Sequence, residues 1–249
     1  MILKIRQAGE TVLRQRVRSL TRDEILSDDI QRLISDMRQT MRDAPGVGLA
    51  APQIGLDLQI AVIEDREEYV ALLPPDQSAQ QERAPVPFHA IINPTISLEA
   101  SEGAAEFFEG CLSVTGYRAV VPRARAVRVE CLNERAEKVT IQARGWYARI
   151  LQHEIDHLHG TLYIDRMYSR SFTTHENHQR YCKDVNPSEF RPASHVVEGD
   201  CDELAQTRSM LNSRYDDLKS GRVQPIPGDE VEAHFRDKSP AERRFRPDS

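Results

Sequence analysis

The sequence lacks a run of about 20 apolar residues, the length that a helix needs to cross a membrane. It also lacks the apolar core and the small-residue cleavage site of a secretory signal, because the first residues lead within a few positions into a polar, charged segment. We therefore expect a cytoplasmic protein with no membrane partner.

An excess of positive charge is missing too. The 249 residues contain 33 lysines and arginines against 39 aspartates and glutamates, a formal net charge of -6, and no extended basic patch. This balance disfavours electrostatic capture of nucleic acid. The shares of hydrophobic (39%) and charged (29%) residues are those of a globular protein.

Cysteines are few, and no export signal accompanies them. In a chain of this length, four cysteines are more typical of thiols in a reducing cytosol than of a disulfide framework. They are Cys111, Cys131, Cys182 and Cys201. A thiol with a special role must therefore be found from its neighbours in the sequence.

The composition changes near residue 175, where dense apolar patterning gives way to a polar stretch. No internal repeat is present. We place a domain boundary there, so that residues 1–174 form a first domain. Residues 175–249 form a C-terminal extension, which is partly helical at about 200–220 or disordered.

Periodicity predicts the main elements of the first domain. Thr21 and Glu24 have the spacing of a helix capping box, and the apolar residues that follow predict one helix over roughly residues 24–43. Helical spacing returns at residues 146–158. The glycine-rich segment 46–55 is expected to be a loop lying close against another part of the chain. Half-buried strands, antiparallel where alternation is clear, are predicted at residues 59–64, 69–73, 89–93, 95–98, 125–131 and 138–143.

The second predicted helix contains the pattern H-E-x-x-H, as His153-Glu154-Ile155-Asp156-His157. Residues four apart lie one turn apart on one helical face, so the two histidines could grip a single metal ion. Glu154 would then sit beside the metal, where it can take a proton from water and later hand it to a leaving group. Three fixed positions also recur by chance, so a helix with two incidental histidines remains open at this point.

A catalytic metal ion needs a third protein ligand and an open position. The extended pattern H-E-x-x-H-x-x-G-x-x-H fails at its last position, which is Tyr163. Glu176 lies downstream at a tolerable spacing, but no second helical pattern is present to hold it. Cys111 lies upstream, and a thiolate with two imidazoles suits iron, zinc, cobalt or nickel. A small buried cysteine is nevertheless the commoner case.

Three separated segments together resemble the peptide deformylase family. They are Gly46-Val47-Gly48-Leu49-Ala50-Ala51-Pro52-Gln53, Glu109-Gly110-Cys111-Leu112-Ser113 and Gln152-His153-Glu154-Ile155-Asp156-His157, and their order and spacing also agree. The resemblance covers roughly residues 1–170, and three motifs in register are far more specific than one. It implies that residues 1–174 are the catalytic domain. With the elements above, it implies an α+β fold of antiparallel β-sheets packed around a central metal-binding helix.

The resemblance also implies roles for individual residues. Glu154 resembles the family's general acid and base, and the side-chain amide of Gln53 with the backbone N–H of Leu112 resembles the pair that polarises the formyl carbonyl. Three residues resemble the metal ligands: Cys111, His153 and His157. The cofactor implied is one divalent metal ion, Fe²⁺ by resemblance, with Zn²⁺, Ni²⁺ or Co²⁺ as substitutes.

A substrate-binding surface is implied by the same resemblance. The segment Gly46-Val47-Gly48 and the residue Gly110 present backbone with little side chain, so a peptide could approach and pair with it as an added strand. The pocket for a methionine side chain resembles the family's lining at three positions: Tyr117, Arg118 and Ile150.

The implied function is hydrolytic removal of the formyl group from formyl-methionyl nascent proteins, with release of formate. The partners would be formylated nascent peptides, which the protein could meet at the ribosome. Two alternatives stay open: a zinc endopeptidase with Glu176 as third ligand, and a catalytically idle deformylase-like protein kept for binding. Thr115 and His159 depart from the commonest family pattern, and these departures concern loop shape and local charge outside the expected ligand set.

Overall fold

The described chain alternates short helices with antiparallel strands, in a computed structural model that describes residues 1–192. The helices are α1 Arg22–Leu26, α2 Asp28–Asp43, α3 Glu67–Ala71, α4 Pro75–Gln80, α5 Gly145–Leu158 and α6 His175–Asn177. The strands are β1 Gly48–Ala50, β2 Ile60–Asp65, β3 Val86–Leu98, β4 Ala104–Cys111, β5 Val114–Ala124, β6 Ala126–Leu132, β7 Lys138–Arg144 and β8 Thr173–Thr174.

Five strands form the larger sheet, in the order β1-β2-β3-β6-β7, and every neighbouring pair is antiparallel. Strand β2 is buried at every position, because both faces of the sheet are covered. Successive side chains of a strand point to opposite faces. Ala61 and Ile63 accordingly belong to the core that includes α5, whereas Ile60 and Val62 belong to the core that includes α2. The sheet therefore lies between these two helices.

The smaller sheet has the order β4-β5-β8 and is also antiparallel. Strands β4 and β5 form a hairpin whose last pair is Cys111 with Val114, after a register shift that follows Glu109. Helix α5 contacts strands of both sheets. The predicted α+β class, with antiparallel sheets packed around a central helix, is confirmed.

The first predicted helix is two helices. The capping box of Thr21 and Glu24 is present at the start of α1. Ser27 then adopts extended backbone angles and ends α1, and its hydroxyl accepts a hydrogen bond from the backbone N–H of Ile30 at the start of α2. The prediction of one helix over 24–43 was wrong because a serine inside an apolar periodicity can cap a helix as well as continue one.

The strand predicted at 69–73 is wrong, since this stretch lies mostly in α3. Glu67 and Glu68 fall in its first turn, where negative charge favours a helix, and no residue of α3 is buried. The strands predicted at 89–93 and 95–98 form one strand, β3. Asn93 takes a left-handed conformation at an irregularity in that strand, and its side chain pairs with both backbone groups of Leu20. Strands β4 and β5 were not predicted.

Residues beyond the predicted boundary at 175 pack on the smaller sheet as far as they are described. The ring of Phe190 lies 5.6 Å from that of Phe108, and Arg191 pairs with Glu106. These residues fall in one compact unit with the rest of the described chain. The division into domains stays a prediction, and the helix predicted at about 200–220 lies outside the described residues. Within residues 1–192, no helix is long and apolar enough to span a membrane.

Replacing Thr21 by alanine tests the capping box. The Thr21 hydroxyl accepts a hydrogen bond from the Glu24 N–H, and the Glu24 carboxylate accepts one from the Thr21 N–H at 2.7 Å. Loss of the hydroxyl should lower the free energy of unfolding by about 1 kcal/mol, measured by urea titration. Thr21→Ser, which keeps the hydroxyl, should stay close to the parent protein. Equal stability of all three proteins would contradict the assignment.

Candidate active site

Helix α5 carries three of the side chains that the sequence assigned to the site. Its buried face begins at Ala148, and the helix packs against both sheets along its length. His153 and His157 lie one turn apart, with ring centroids separated by 5.0 Å. Glu154 is adjacent to His153 and is 4% exposed, so its carboxylate lies in a site that excludes most water.

The hairpin of β4 and β5 supplies the thiol. Cys111 Sγ lies 3.2 Å from His157 Nε2, and the donor atoms of Cys111, His153 and His157 all lie within 4.8 Å of one another. Zinc–sulfur and zinc–nitrogen bonds of roughly 2.3 and 2.1 Å in a tetrahedron would separate sulfur from nitrogen by roughly 3.6 Å. These three side chains therefore fit a single metal ion. In the described part of the chain, Glu176 is not a member of any such group, so the third ligand of the endopeptidase alternative has no support.

Glu109 orients the first histidine. Its Oε2 lies 3.0 Å from His153 Nδ1, and this contact leaves Nε2 of the same ring free for a metal. Arg123 donates two hydrogen bonds of 3.0 Å to the carboxylate, and Arg149 donates one of 2.6 Å. Burial on its own would raise the pKa of the Glu109 carboxyl, but Arg123 and the bond from His153 hold that pKa well below its usual range.

The ion network extends from Glu109 to the outside of the molecule. Arg123 also pairs with Asp156, which receives two hydrogen bonds of 2.7 and 2.8 Å from the half-exposed Arg166. Arg149 donates as well to the backbone carbonyls of Val121 and Ala105. Buried charges are tolerated when each has a partner, as these do.

Gln53 is held with its amide nitrogen towards the candidate ligand Cys111. Its Oε1 accepts a hydrogen bond of 2.8 Å from the Ala50 N–H, which determines which end of the amide faces the site. Its Nε2 lies 3.5 Å from Cys111 Sγ and 3.3 Å from Ser113 Oγ. A side-chain N–H donor is thus placed beside Cys111, one of the three candidate ligands.

Gly48 and Glu154 are in close contact. A Cβ atom at position 48 would overlap the Glu154 carboxylate, so any other residue there would displace that side chain. The expected loop at 46–55 is a short strand followed by a 3-10 helix, Ala51–Ile54, and it does lie close against another element. Burial raises the pKa of the Glu154 carboxyl to about 7. Its Oε2 has no hydrogen-bond partner within residues 1–192.

A cavity of about 350 Å³ opens beside these groups. It is lined by all the residues that the sequence assigned to catalysis and substrate binding, and by two of the three candidate ligands, Cys111 and His153. The assigned residues are Gly46, Val47, Gly48, Gln53, Gly110, Cys111, Leu112, Tyr117, Arg118, Ile150, His153 and Glu154. The structure brings these residues together around one cavity. Their roles in catalysis and binding are proposals.

Several residues of the site were not assigned a role from the sequence. Glu109 is the first residue of the motif that contains Cys111, but the residues around it give no indication of a hydrogen bond to His153. Arg149 lies one helical turn before His153, and from that spacing the two side chains could have been predicted to lie on the same face of the helix. Trp146 and His175 also line the cavity, and no pattern in the sequence pointed to His175.

Comparison with known proteins agrees with this geometry. The family model described as "Polypeptide deformylase" matches residues 2–172. The chain belongs to the peptide deformylase family. It is 49% identical over 171 residues to "Peptide deformylase 1A, chloroplastic" of Solanum lycopersicum, covering 69% of this chain and 61% of that one. It is 46% identical over 189 residues to "Peptide deformylase 1" of Bifidobacterium longum, covering 76% and 83%.

Solved structures of the family are similar as well. A peptide deformylase from Synechococcus elongatus in complex with actinonin has a TM-score of 0.55 at 35% identity, covering 66% of this chain and 78% of that one. A Met-Ala-Ser-bound class I type b enzyme from Acinetobacter baumannii has a TM-score of 0.59 at 29% identity, covering 67% and 99%. The chain spans about three fifths of the length of the plant relatives it matches.

Replacing Glu109 by glutamine tests its control of His153. The amide has nearly the same shape but cannot accept hydrogen bonds at both ends, so His153 loses its fixed orientation. Metal affinity should fall by about 10- to 100-fold in a chelator competition assay. Glu102→Gln is the matched control, because Glu102 pairs with Arg144 at the surface. Unchanged affinity in a folded Glu109→Gln protein would rule out this role.

Proposed function

We propose that the protein is a metal-dependent hydrolase that removes the formyl group from N-terminal formyl-methionine and releases formate. One observation carries the proposal: a thiol and two imidazoles lie close enough together to hold a metal ion, beside a cavity that the Glu154 carboxylate and the Gln53 amide also line. Family membership supports it. The Acinetobacter baumannii relative is described with Met-Ala-Ser bound, which favours peptides that begin with methionine as the ligand class.

Cys111, His153 and His157 would hold one divalent metal ion. When bound, such an ion polarises a carbonyl and lowers the pKa of water. A thiolate with two imidazoles suits Fe²⁺, Zn²⁺, Ni²⁺ or Co²⁺, and we propose Fe²⁺ on the resemblance to the family. Burial lowers the pKa of His157 and keeps its imidazole neutral, the form that binds metals.

Glu154 is proposed to move the proton. Its buried carboxylate takes a proton from the attacking water as the oxygen of that water bonds to the formyl carbon. The same carboxyl then donates the proton to the departing amine as the carbon–nitrogen bond breaks. Formate and a free N-terminal methionine result. The unpartnered Oε2 of Glu154 supports this role, since it is free to receive the proton.

Gln53 and Leu112 are proposed to hold the oxygen on which negative charge develops. Donors aimed at such an oxygen typically contribute about 3 kcal/mol each to lowering the barrier. The bond from Ala50 holds the Gln53 amide before substrate arrives, so little reorganisation is needed. Leu112 lines the same cavity and would contribute its backbone N–H.

The substrate would lie between two glycine-bearing segments. Gly46-Val47-Gly48 and Gly110 line the cavity and leave room for peptide backbone to pair as an added strand. The methionine side chain would enter between three residues of the cavity wall: Tyr117, Arg118 and Ile150. We propose that the partners in the cell are formylated nascent peptides, which the protein would meet at the ribosome in the cytoplasm. The free thiols of Cys111, Cys131 and Cys182 are consistent with a reducing compartment.

The proposal is tested by assaying anaerobically purified protein, with its metal quantified, on formyl-methionyl peptides and unformylated controls. Formate release from the formylated peptides alone is the expected result. Cleavage of internal bonds in the unformylated peptides would favour an endopeptidase. A metal-loaded but inactive protein would favour the binding alternative, against which the paired Glu154 and Gln53 argue.

Glu154→Gln should keep the metal and lose turnover. The amide fills the same space beside Gly48 but cannot carry the proton, so kcat should fall by about 100-fold or more. Formate release and metal content are measured on the same preparation. Glu99→Gln, at an exposed position, should change neither. Substantial deformylation by Glu154→Gln would disprove the acid/base assignment.

Cys111→Ser should weaken metal retention. A serine hydroxyl is a poorer ligand than a thiolate for these ions, so metal per protein should drop after dialysis. Elemental analysis measures the amount of metal per protein. Cys182→Ser serves as control, because Cys182 is a free cysteine outside the candidate ligand group. Full metal content in Cys111→Ser would remove the thiol from the ligand set.

A further inference from the structure

A short N-terminal segment, residues 6–8, bridges the two parts of the chain that carry the proposed donors to the developing negative charge. The backbone N–H of Arg6 donates a hydrogen bond of 2.7 Å to the Gln53 carbonyl. The backbone N–H of Ala8 donates one of 2.8 Å to the Ser113 carbonyl, in the turn between β4 and β5. One segment therefore ties both parts together.

The side chain of Gln7 binds the same turn at two points. Its Nε2 donates a hydrogen bond of 3.0 Å to the Leu112 carbonyl. Its Oε1 accepts one of 3.5 Å from the Thr115 N–H and lies 3.0 Å from the Thr115 hydroxyl, which also lies 3.2 Å from the Leu112 carbonyl oxygen. These contacts need a side chain with both a donor and an acceptor, and the partners determine which end of the amide faces which residue.

The turn itself depends on contacts from outside the hairpin. Leu112 and Ser113 are its two central residues, between the end of β4 and the start of β5. Two-residue hairpin turns usually have a positive φ at the first central residue, because that backbone twist matches the twist of the strands. Neither Leu112 nor Ser113 has a positive φ. The bonds from residues 6–8 therefore help to set the conformation of this turn.

Holding the Leu112 carbonyl also fixes the direction of the Leu112 N–H. Each residue has only two soft backbone torsions. The pairing of Cys111 with Val114 and a bond of 3.4 Å from the Ser113 N–H to Cys111 Sγ restrain the turn from within. Gln7 restrains the peptide group that follows Leu112 from outside. With both sides restrained, the Leu112 N–H keeps one direction.

We propose that Gln7 is a positioning residue that holds the Leu112 N–H ready for the oxygen on which negative charge develops, and that Thr115 holds Gln7 in place. This inference rests on the proposed deformylase function. It gives a role to Thr115, which departs from the commonest family pattern. Gln7 is exposed and does not line the cavity, so it acts through the turn and touches no substrate.

Gln7→Ala tests the proposal in the intact, metal-loaded protein with a formyl-methionyl peptide. The kcat should fall by about tenfold, which is part of the roughly 100-fold that complete loss of one such donor costs. KM, metal content and melting temperature should stay near those of the parent protein, because the donor acts mainly in the transition state. Gln15→Ala is the control, since Gln15 is exposed and does not line the cavity, and it should change none of these.

Further variants separate the contacts of Gln7. Gln7→Glu keeps the acceptor for Thr115 but places a carboxylate oxygen against the Leu112 carbonyl, so its kcat should be at least as low as that of Gln7→Ala. Thr115→Val should lower kcat by a smaller factor, because it removes the hydroxyl that contacts both Gln7 and the Leu112 carbonyl. Thr115→Ser keeps the hydroxyl and should match the parent protein.

A kcat equal to that of the parent protein in folded Gln7→Ala or Gln7→Glu would overturn the positioning role. So would a loss of activity that in both variants comes only with lower metal content or a lower melting temperature, since the role of Gln7 would then be structural. Absence of formate release by the parent protein would instead overturn the proposed function. The two failures are therefore distinguishable.

Discussion

The buried carboxylate of Glu109 links the candidate metal site to the fold. It lies near the end of β4, accepts hydrogen bonds from Arg123 on β5 and from Arg149 on α5, and contacts His153. Each of these groups would be costly to bury alone, so they are stable only together. The position of the first histidine thus depends on the packing of a hairpin against a helix, and not on the helix alone.

The placement of α5 makes this arrangement possible. The helix lies between two antiparallel sheets, so most of its side chains are shielded from water over three turns. In such surroundings hydrogen bonds to charged groups are strong. Close packing has a second effect, because Gly48 allows β1 to approach Glu154 until no side chain fits between them. The candidate catalytic groups are thus packed against neighbouring elements and open to the cavity.

The family match ends at residue 172, but the packed structure continues beyond it. Strand β8 and the residues that follow lie against β5 and β4, through the pair of Thr174 with Tyr117 and the contact of Phe190 with Phe108. The change of composition near residue 175 marks where apolar patterning becomes sparse. It does not mark where contacts with the first 174 residues stop, since a few aromatic residues are enough to hold a segment onto a sheet.

The sequence by itself determined what depends on local spacing: the placement of His153 and His157 on one helical face, the capping box at Thr21, and the alternating strands β6 and β7. Three motifs in order were enough to indicate the family. Only the tertiary structure decided the partners of Glu109, the break at Ser27, and the helix at Glu67–Ala71 where a strand was expected. The Glu109 contacts join residues that are 14 to 44 positions apart, and such contacts leave no periodic pattern in a sequence. A short apolar run becomes a strand only if the edge of another strand is available for pairing.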